Sequence, residues 1–163
     1  MGGYGLIYKD LFCVLKTTSQ QGRHGSNSSG LTDYKFYCFH GYVDCVMVCC
    51  DRVSGDTKFY FFDRRWKLKR INKRGIKAPL DFTLPKPLCM DNMFEIASQL
   101  SQSIPFARVD LYACNESIYF GEITLYPQAG FDANYLPETD MYFGSLIHLP
   151  VAYDSRNMKG DAT

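Results

Sequence analysis

Three runs of β-branched and aromatic residues between residues 33 and 63, separated by two short turns, constrain the fold most strongly. The first run, DYKFYCF, ends at a His-Gly turn over residues 40–41. The second, YVDCVMVCCDR, ends at a turn over residues 54–56, before the third run, TKFYFFD. Such runs and turns are typical of consecutive antiparallel strands. Because polar and apolar residues do not alternate cleanly, we expect a sheet that is covered on both faces.

Two helices and a second hairpin follow this meander along the chain. The segment DNMFEIASQLSQS has apolar residues at i, i+3, i+4 and i+7, which is typical of an amphipathic helix. ARVDLYAC and SIYFGEITLY are predicted strands that meet near residues 115–116. Residues 138–149 are predicted to form the last helix, with Phe143, Leu146 and Ile147 on its inner face. This order of elements favours an α+β fold with a mainly antiparallel sheet and two helices.

Composition divides the chain into three parts. Residues 1–32 contain the polar stretch TTSQQGRHGSNSSG and are predicted to be flexible or irregular. Residues 33–150 are predicted to form one folded lobe, and residues 151–163 a polar tail.

No apolar run approaches the roughly 20 residues that cross a bilayer, so we expect no membrane insertion. With no signal peptide and an odd number of cysteines, seven, we expect reduced thiols in a cytoplasmic protein.

A basic segment, RRWKLKRINKRGIK at residues 64–77, opens a proline-rich connection that is predicted to be a loop. The net charge of the whole chain is only +1, so no global charge points to a nucleic-acid partner. Single-stranded nucleic acid or an anionic polysaccharide could dock on this segment. We interpret it instead as a solvated loop over which Trp66 packs inward, and expect no nucleic-acid partner.

The predicted hairpin carries two acids with chemical potential, Asp110 and Glu122. A two-residue loop at residues 115–116 would pair Asp110 with Gly121 and leave Glu122 on the other face. A three-residue loop would place the two acids opposite each other. Two carboxylates on one face repel each other unless a cation lies between them, and Mg²⁺ accepts such oxygen ligands. Arg108 has the same strand parity as Asp110 and could neutralise a phosphate beside the metal.

Two other interpretations of the acid pair remain open from the residues alone. The acids could lie on an ordinary solvated strand face, with Arg108 paired to one of them. They could also perform general acid–base chemistry, as paired carboxylates do in glycosidases.

The pattern R-x-D on one strand, then G-E-x-T on the next and a proline, resembles the C-terminal catalytic hairpin of the ATP-grasp superfamily. The stretch from Asp33 to Pro150 more closely resembles the TupA-like ATP-grasp family, which is associated with teichuronopeptide and other cell-surface polysaccharide synthesis. The matching pieces, in order, are DYKFYCFHG, DRVSG, FFDRRWKL, PKPLCMDNMFEIASQLS, IPFARVDLY, IYFGEITLYPQAGF and the closing helix before LP.

This resemblance implies a role for each candidate residue. Asp110 and Glu122 would bind the Mg²⁺ that bridges ATP phosphates, which requires them to share a face. Arg108 and Lys35 would be catalytic and would bind phosphate or the acceptor, although Lys35 could instead be an exposed edge-strand lysine. Arg52 is a weaker candidate of the same kind. Thr124 would contribute to ATP binding at a position where many ATP-grasp enzymes have a metal-binding asparagine.

The implied activity is Mg²⁺-ATP-dependent ligation of a carboxylate to an amine through an acyl phosphate, with a carboxylate-bearing polysaccharide precursor as substrate. In the family, ATP is clamped between two lobes, and an acidic adenine-binding hinge normally lies just before a strand like the one at Asp33. No acidic residue lies between Asp10 and Asp33 here, and the resemblance covers only the C-terminal lobe. We therefore expect a truncated form for which a partner chain supplies the other lobe. The alternatives are a non-catalytic remnant or binding module, and a glycosyltransferase-type role in the same pathway.

Overall fold

A computed structural model describes residues 32–50, 57–114 and 117–149. The predictions for residues 1–31, for Arg52 and for residues 151–163 lie outside these ranges. The described elements, in chain order, are β1 (Thr32–Phe39), β2 (Tyr42–Cys50), β3 (Lys58–Phe62), β4 (Leu68–Lys69), α1 (Lys73–Lys77), α2 (Met90–Ser101), β5 (Ala107–Cys114), β6 (Ser117–Thr124), a 3₁₀ helix (Pro127–Gly130) and α3 (Pro137–Ser145).

The strands form one antiparallel sheet in the order β4-β3-β2-β1-β5-β6. The predicted α+β class with an antiparallel sheet is therefore confirmed. β1 lies at the centre, where Lys35 faces Met47 on one neighbouring strand and Asp110 on the other. The interpretation of Lys35 as an edge-strand residue is wrong, because β2 and β5 both pair with its strand.

Both faces of the sheet are covered, as the sequence predicts. On one face α2 packs against β1, β2 and β5 through a core that includes Phe36, Val46, Val109, Met93 and Phe94. On the other face, a second core includes Tyr37, Phe39, Met47, Phe61 and Phe143 of α3. Since the central strands contribute to both cores, apolar residues occur on both of their faces, and the strands lack the alternation of a sheet with one solvated face.

The two predicted helices are present as α2 and α3, with ends shifted by a few residues. Leu146 and Ile147 lie just after α3 and pack against the second core, as expected for the inner face of this segment. Tyr142 of α3 donates a hydrogen bond to Asp44 at 2.6 Å, and Lys69 reaches the same carboxylate at 2.6 Å. These contacts fasten α3 to β2 and β4. Within the described ranges, no helix has the length and apolar character needed to cross a membrane.

The basic connection contains more structure than the predicted loop. It includes β4 and α1, and Asn72 holds α1 in place. The Asn72 side chain accepts a hydrogen bond from the Gly75 amide at 2.8 Å and donates one to the Phe59 carbonyl at 2.9 Å. Trp66 packs inward as predicted: its ring stacks on Phe62 at 4.6 Å, and its Nε1 donates to the Leu84 carbonyl at 2.7 Å.

Burial of Cys38 between the sheet and α2 makes the fold sensitive to alkali. Burial raises the pKa of this thiol from the ordinary 9.0 to about 11. Between these values the unfolded chain loses the thiol proton and the folded protein keeps it, so stability falls as pH rises from 9 to 11. The expected loss from this group is up to about 3 kcal/mol.

Urea unfolding at a series of pH values checks this expectation. A Cys38→Ala variant should show a shallower loss of stability between pH 9 and 11 than the unmodified protein. Cys114 is an exposed thiol, and a Cys114→Ala variant is the matched control. The expectation is wrong if the Cys38→Ala slope equals that of the control. Some slope remains in either variant, because burial also raises the pKa of Cys45.

Candidate functional site

The β5–β6 hairpin combines the two registers that the sequence left open. Near the loop, Leu111 lies opposite Phe120, as in the register of a two-residue loop. A β-bulge then adds one residue to β6, Gly121, and the next pair is Asp110 opposite Glu122. The two acids therefore share a face because of the bulge and not because of the loop length.

Glycine at position 121 is required by the space around the bulge. A Cβ atom there would lie 2.9 Å from the Tyr112 ring and 3.0 Å from the Asp110 carbonyl oxygen. The first distance is shorter than real Cβ atoms show and the second is tighter than nine in ten of their contacts, so a larger residue would require the Tyr112 ring and the facing backbone to shift. A glycine inside a strand is a known signal for a bulge, and it was the available clue in the sequence.

Asp110 is the centre of an ion-pair cluster. Arg108 binds it with two hydrogen bonds, from Nε to Oδ1 at 2.7 Å and from Nη2 to Oδ2 at 2.9 Å. Lys35 donates to the same carboxylate and lies 2.9 Å from Asp33. Arg108 Nη2 also reaches Glu122 Oε1 at 3.1 Å. One buried acid and one exposed acid are thus joined through a single guanidinium group.

Thr124 and Asp33 complete the cluster. Thr124 Oγ1 accepts a hydrogen bond from Arg108 at 3.1 Å and donates one to Glu122 at 3.2 Å. Asp33 was not among the predicted site residues, although it lies two residues before Lys35 and therefore on the same face of β1. The structure brings Lys35, Arg108, Asp110, Glu122 and Thr124 together in one cluster. Arg52 lies outside the described residues.

Comparison with protein families identifies the chain. A family model described as TupA-like ATPgrasp matches residues 13–148. The chain belongs to the TupA-like ATP-grasp family. Neither the comparison with curated proteins nor that with solved structures found a match. Members of ATP-grasp families generally bind ATP and Mg²⁺.

The charges of the cluster leave room for a cation. Three carboxylates, Asp33, Asp110 and Glu122, face two positive groups, Lys35 and Arg108, so one negative charge remains. Burial lowers the pKa of Lys35, but its hydrogen bonds to Asp110 and Asp33 outweigh this and raise the pKa above the ordinary value. The same balance raises the pKa of Arg108, where Asp110 is the main partner. Both groups are therefore charged at neutral pH.

The donor atoms fit Mg²⁺, which prefers oxygen ligands. Asp110 and Glu122 would hold the ion, and the Thr124 hydroxyl lies next to Glu122. In the part of the chain that the structure describes, no group of three or more His, Cys, Asp or Glu side chains is arranged around a metal position. An ion at the acid pair would therefore need further oxygens from a ligand or water, which is how Mg²⁺ binds beside substrate phosphates.

A cavity of about 190 Å³ adjoins the cluster on the same face of the sheet. Lys35 and Arg108 contribute to its wall, together with aromatic rings that include Tyr37 and Tyr135. Tyr135 donates a hydrogen bond to the Tyr37 hydroxyl at 2.6 Å, and burial raises the pKa of both phenols. The two tyrosines are therefore neutral, and the cations are the charged side chains that β1 and β5 present to the cavity.

Proposed function

We propose that this TupA-like ATP-grasp protein binds Mg²⁺-ATP at the β5–β6 hairpin and joins a carboxylate to an amine. The observation that carries this proposal is the pairing of Asp110 with Glu122 on one face of the sheet. A regular two-residue hairpin would separate these acids, and the bulge at Gly121 brings them together. The family match supports ATP as the phosphoryl donor.

Four residues of the cluster have a part in this chemistry. Asp110 and Glu122 would hold Mg²⁺, which would supply positive charge to offset that of the phosphoryl group during its transfer. A carboxylate oxygen of the substrate takes the γ-phosphoryl group from ATP, giving an acyl phosphate and ADP. An amine then attacks the acyl carbon, and phosphate leaves as the amide forms. Arg108 and Lys35 neutralise the phosphate and the entering carboxylate.

The carboxylate substrate belongs to a cell-surface polysaccharide precursor under this proposal. Support comes from the family to which the chain belongs and from the position of Lys35 and Arg108 in the wall of the cavity. A carboxylate that enters this cavity meets Lys35, Arg108, two neutral tyrosines and the carboxylate of Asp132. Mg²⁺ at the acid pair would offset the remaining negative charge of the cluster, so that the two cations would favour an anionic group over a neutral one.

Replacing Glu122 tests the proposal without disturbing the fold. The Glu122 side chain is 64% exposed, so Glu122→Gln should unfold at the same urea concentration as the unmodified protein. We expect its affinity for ATP in the presence of Mg²⁺ to fall about tenfold or more, since a metal ligand is lost. Titration calorimetry with ATP and Mg²⁺ measures this. Glu95→Gln removes an acid of similar exposure, 56%, from α2 and should leave the affinity unchanged.

A second function, that of a binding module without catalysis, is favoured by one observation. Lys35 and Arg108 already engage the Asp110 carboxylate, so the cluster is also a closed ion-pair network. In that case the cluster would stabilise the sheet and Mg²⁺ would add nothing to ATP binding. Cooperative unfolding of a protein that shows no Mg²⁺-dependent ATP binding would favour the module over the ligase.

A further inference from the structure

The chain concentrates positive charge in one segment that the site does not use. Residues 64–77 contain eight of the 18 lysines and arginines and none of the 17 acids. The segment therefore carries +8, and the remainder of the chain carries −7 at neutral pH. A charge separation of this size on a small protein creates a local potential that attracts polyanions.

Part of this segment has structural partners. Arg64 pairs with Glu95, and Lys69 pairs with Asp44. Arg70 donates to three backbone carbonyls, those of Gly75, Ala78 and Pro79, and so satisfies the end of α1. The side chains of these three residues are therefore held by contacts within the fold, although the partners of Arg70 are neutral carbonyls that do not offset its charge.

Lys73, Arg74 and Lys77 form the basic face of α1. All three are exposed, and their spacing along the helix places them on one side. The side chains of Lys73 and Lys77 make no ion pair or hydrogen bond with any residue that the structure describes. Like charges at i and i+4 destabilise a helix by a few tenths of a kcal/mol. The two ends of α1 are held by Asn72 and Arg70, so the lysines are not needed there.

α1 begins at the wall of the cavity that Lys35 and Arg108 line. Asn72, the residue before the helix, is part of that wall. The Lys73 amide donates to the carbonyl of Asn134 at 3.0 Å, and Asn134 lines the cavity as well. A helix of five residues is only about 7 Å long. An extended chain that lies along α1 therefore ends beside the cavity.

We propose that the basic face of α1 binds a carboxylate-bearing polysaccharide chain and directs its end toward the cavity at Lys35 and Arg108. The choice of a polysaccharide and the direction toward the cavity rest on the proposed function, whereas the anion-binding surface rests on the exposed charges of α1. Single-stranded nucleic acid is a poorer match, because its binding sites use exposed aromatic rings for base stacking. Trp66, the aromatic side chain of the basic segment, is already stacked on Phe62.

Binding of a fluorescent polygalacturonate oligomer to the full chain at low salt tests the docking. Lys73→Gln/Lys77→Gln should weaken this binding about tenfold, because two of the contacts that hold the polyanion are lost. The slope of log affinity against log salt should fall by roughly two. The matched control is Arg65→Gln/Lys67→Gln, which removes two exposed charges from the turn before β4 in the same basic segment. The affinity of this control variant for the oligomer should fall about twofold or less.

The outcomes separate this proposal from the ligase proposal. If the two double variants lost the same affinity for polygalacturonate, the binding would reflect general charge attraction, and the proposed docking surface on α1 would be refuted. Poly(U) is the test for a nucleic-acid partner. If it binds as tightly as polygalacturonate and loses affinity in the Lys73→Gln/Lys77→Gln variant, the polysaccharide proposal is overturned in favour of nucleic acid. An unmodified protein that binds Mg²⁺-ATP but not polygalacturonate refutes the docking alone. Binding of polygalacturonate without Mg²⁺-ATP binding supports the docking and refutes the ligase.

Discussion

The Asp110→Ala variant is expected to lose about 3–5 kcal/mol of folding stability together with its binding of Mg²⁺-ATP. Asp110 is only 2% exposed, and its carboxylate receives hydrogen bonds from Lys35 and from two nitrogens of Arg108. Alanine would remove the buried carboxylate that Lys35 and Arg108 share, and would leave these two largely buried cations with one ion pair each among the described residues, to Asp33 and Glu122. The proposed metal site would also lose its buried ligand. Urea unfolding and ATP titration with Mg²⁺ measure the two effects.

An exposed ion pair provides the control for this variant. Asp91 pairs with Lys86 at 2.9 Å, and its side chain is 68% exposed. Asp91→Ala should cost no more than about 0.5 kcal/mol, because water screens such a pair. Equal losses for the two variants would contradict the central place of Asp110 in the cluster. Asp110→Asn keeps the size of the side chain, so a folded Asp110→Asn protein that still bound Mg²⁺-ATP would refute the metal assignment.

The Gly121→Ala variant is expected to lose about 1–3 kcal/mol and most of its affinity for Mg²⁺-ATP. The added methyl group would meet the Tyr112 ring and the Asp110 backbone at 3.0 Å or less. The strands can relieve this contact by giving up the bulge, which moves Glu122 away from its position opposite Asp110. Chemical denaturation and calorimetry together distinguish a change of register from a simple loss of stability.

Gly144 in α3 supplies the matched control, since a Cβ atom there would meet nothing within 4 Å. Gly144→Ala should leave Mg²⁺-ATP binding unchanged and stabilise the helix by about 0.5–1 kcal/mol. A Gly121→Ala protein with the stability and ATP affinity of the unmodified chain would show that the bulge does not position Glu122.

The sequence indicated candidate residues for the site but not their arrangement. Short runs of β-forming residues predict strands, and the acids stand out because they interrupt apolar runs. Whether Asp110 and Glu122 share a face depended on where one extra residue enters β6. The position of the extra residue depends on contacts with the Tyr112 ring and with the backbone of the opposite strand. Neither contact can be read from loop length, so both registers remained open.

The missed elements have a different cause. β4 and α1 are short and lie in a segment rich in lysine and arginine, where no apolar periodicity signals a strand or a helix. They form because distant partners hold them: Asn72 bonds to the Phe59 carbonyl, and its backbone pairs with Tyr135. The central position of β1, and with it the burial of Lys35, likewise depends on pairing with β5 about seventy residues later. Such long-range pairing leaves no local signature.

On the central strands, each residue of the cluster alternates with a residue of the core. Lys35 lies between Tyr34 and Phe36, and Asp110 lies between Val109 and Leu111. Gain or loss of a single codon within β1 or β5 would therefore exchange the two sets, burying charges under α2 and turning apolar side chains toward the cavity. An insertion or deletion within these two strands is therefore expected to disrupt both the cluster and the core, whereas one in a connection would leave the two faces unchanged.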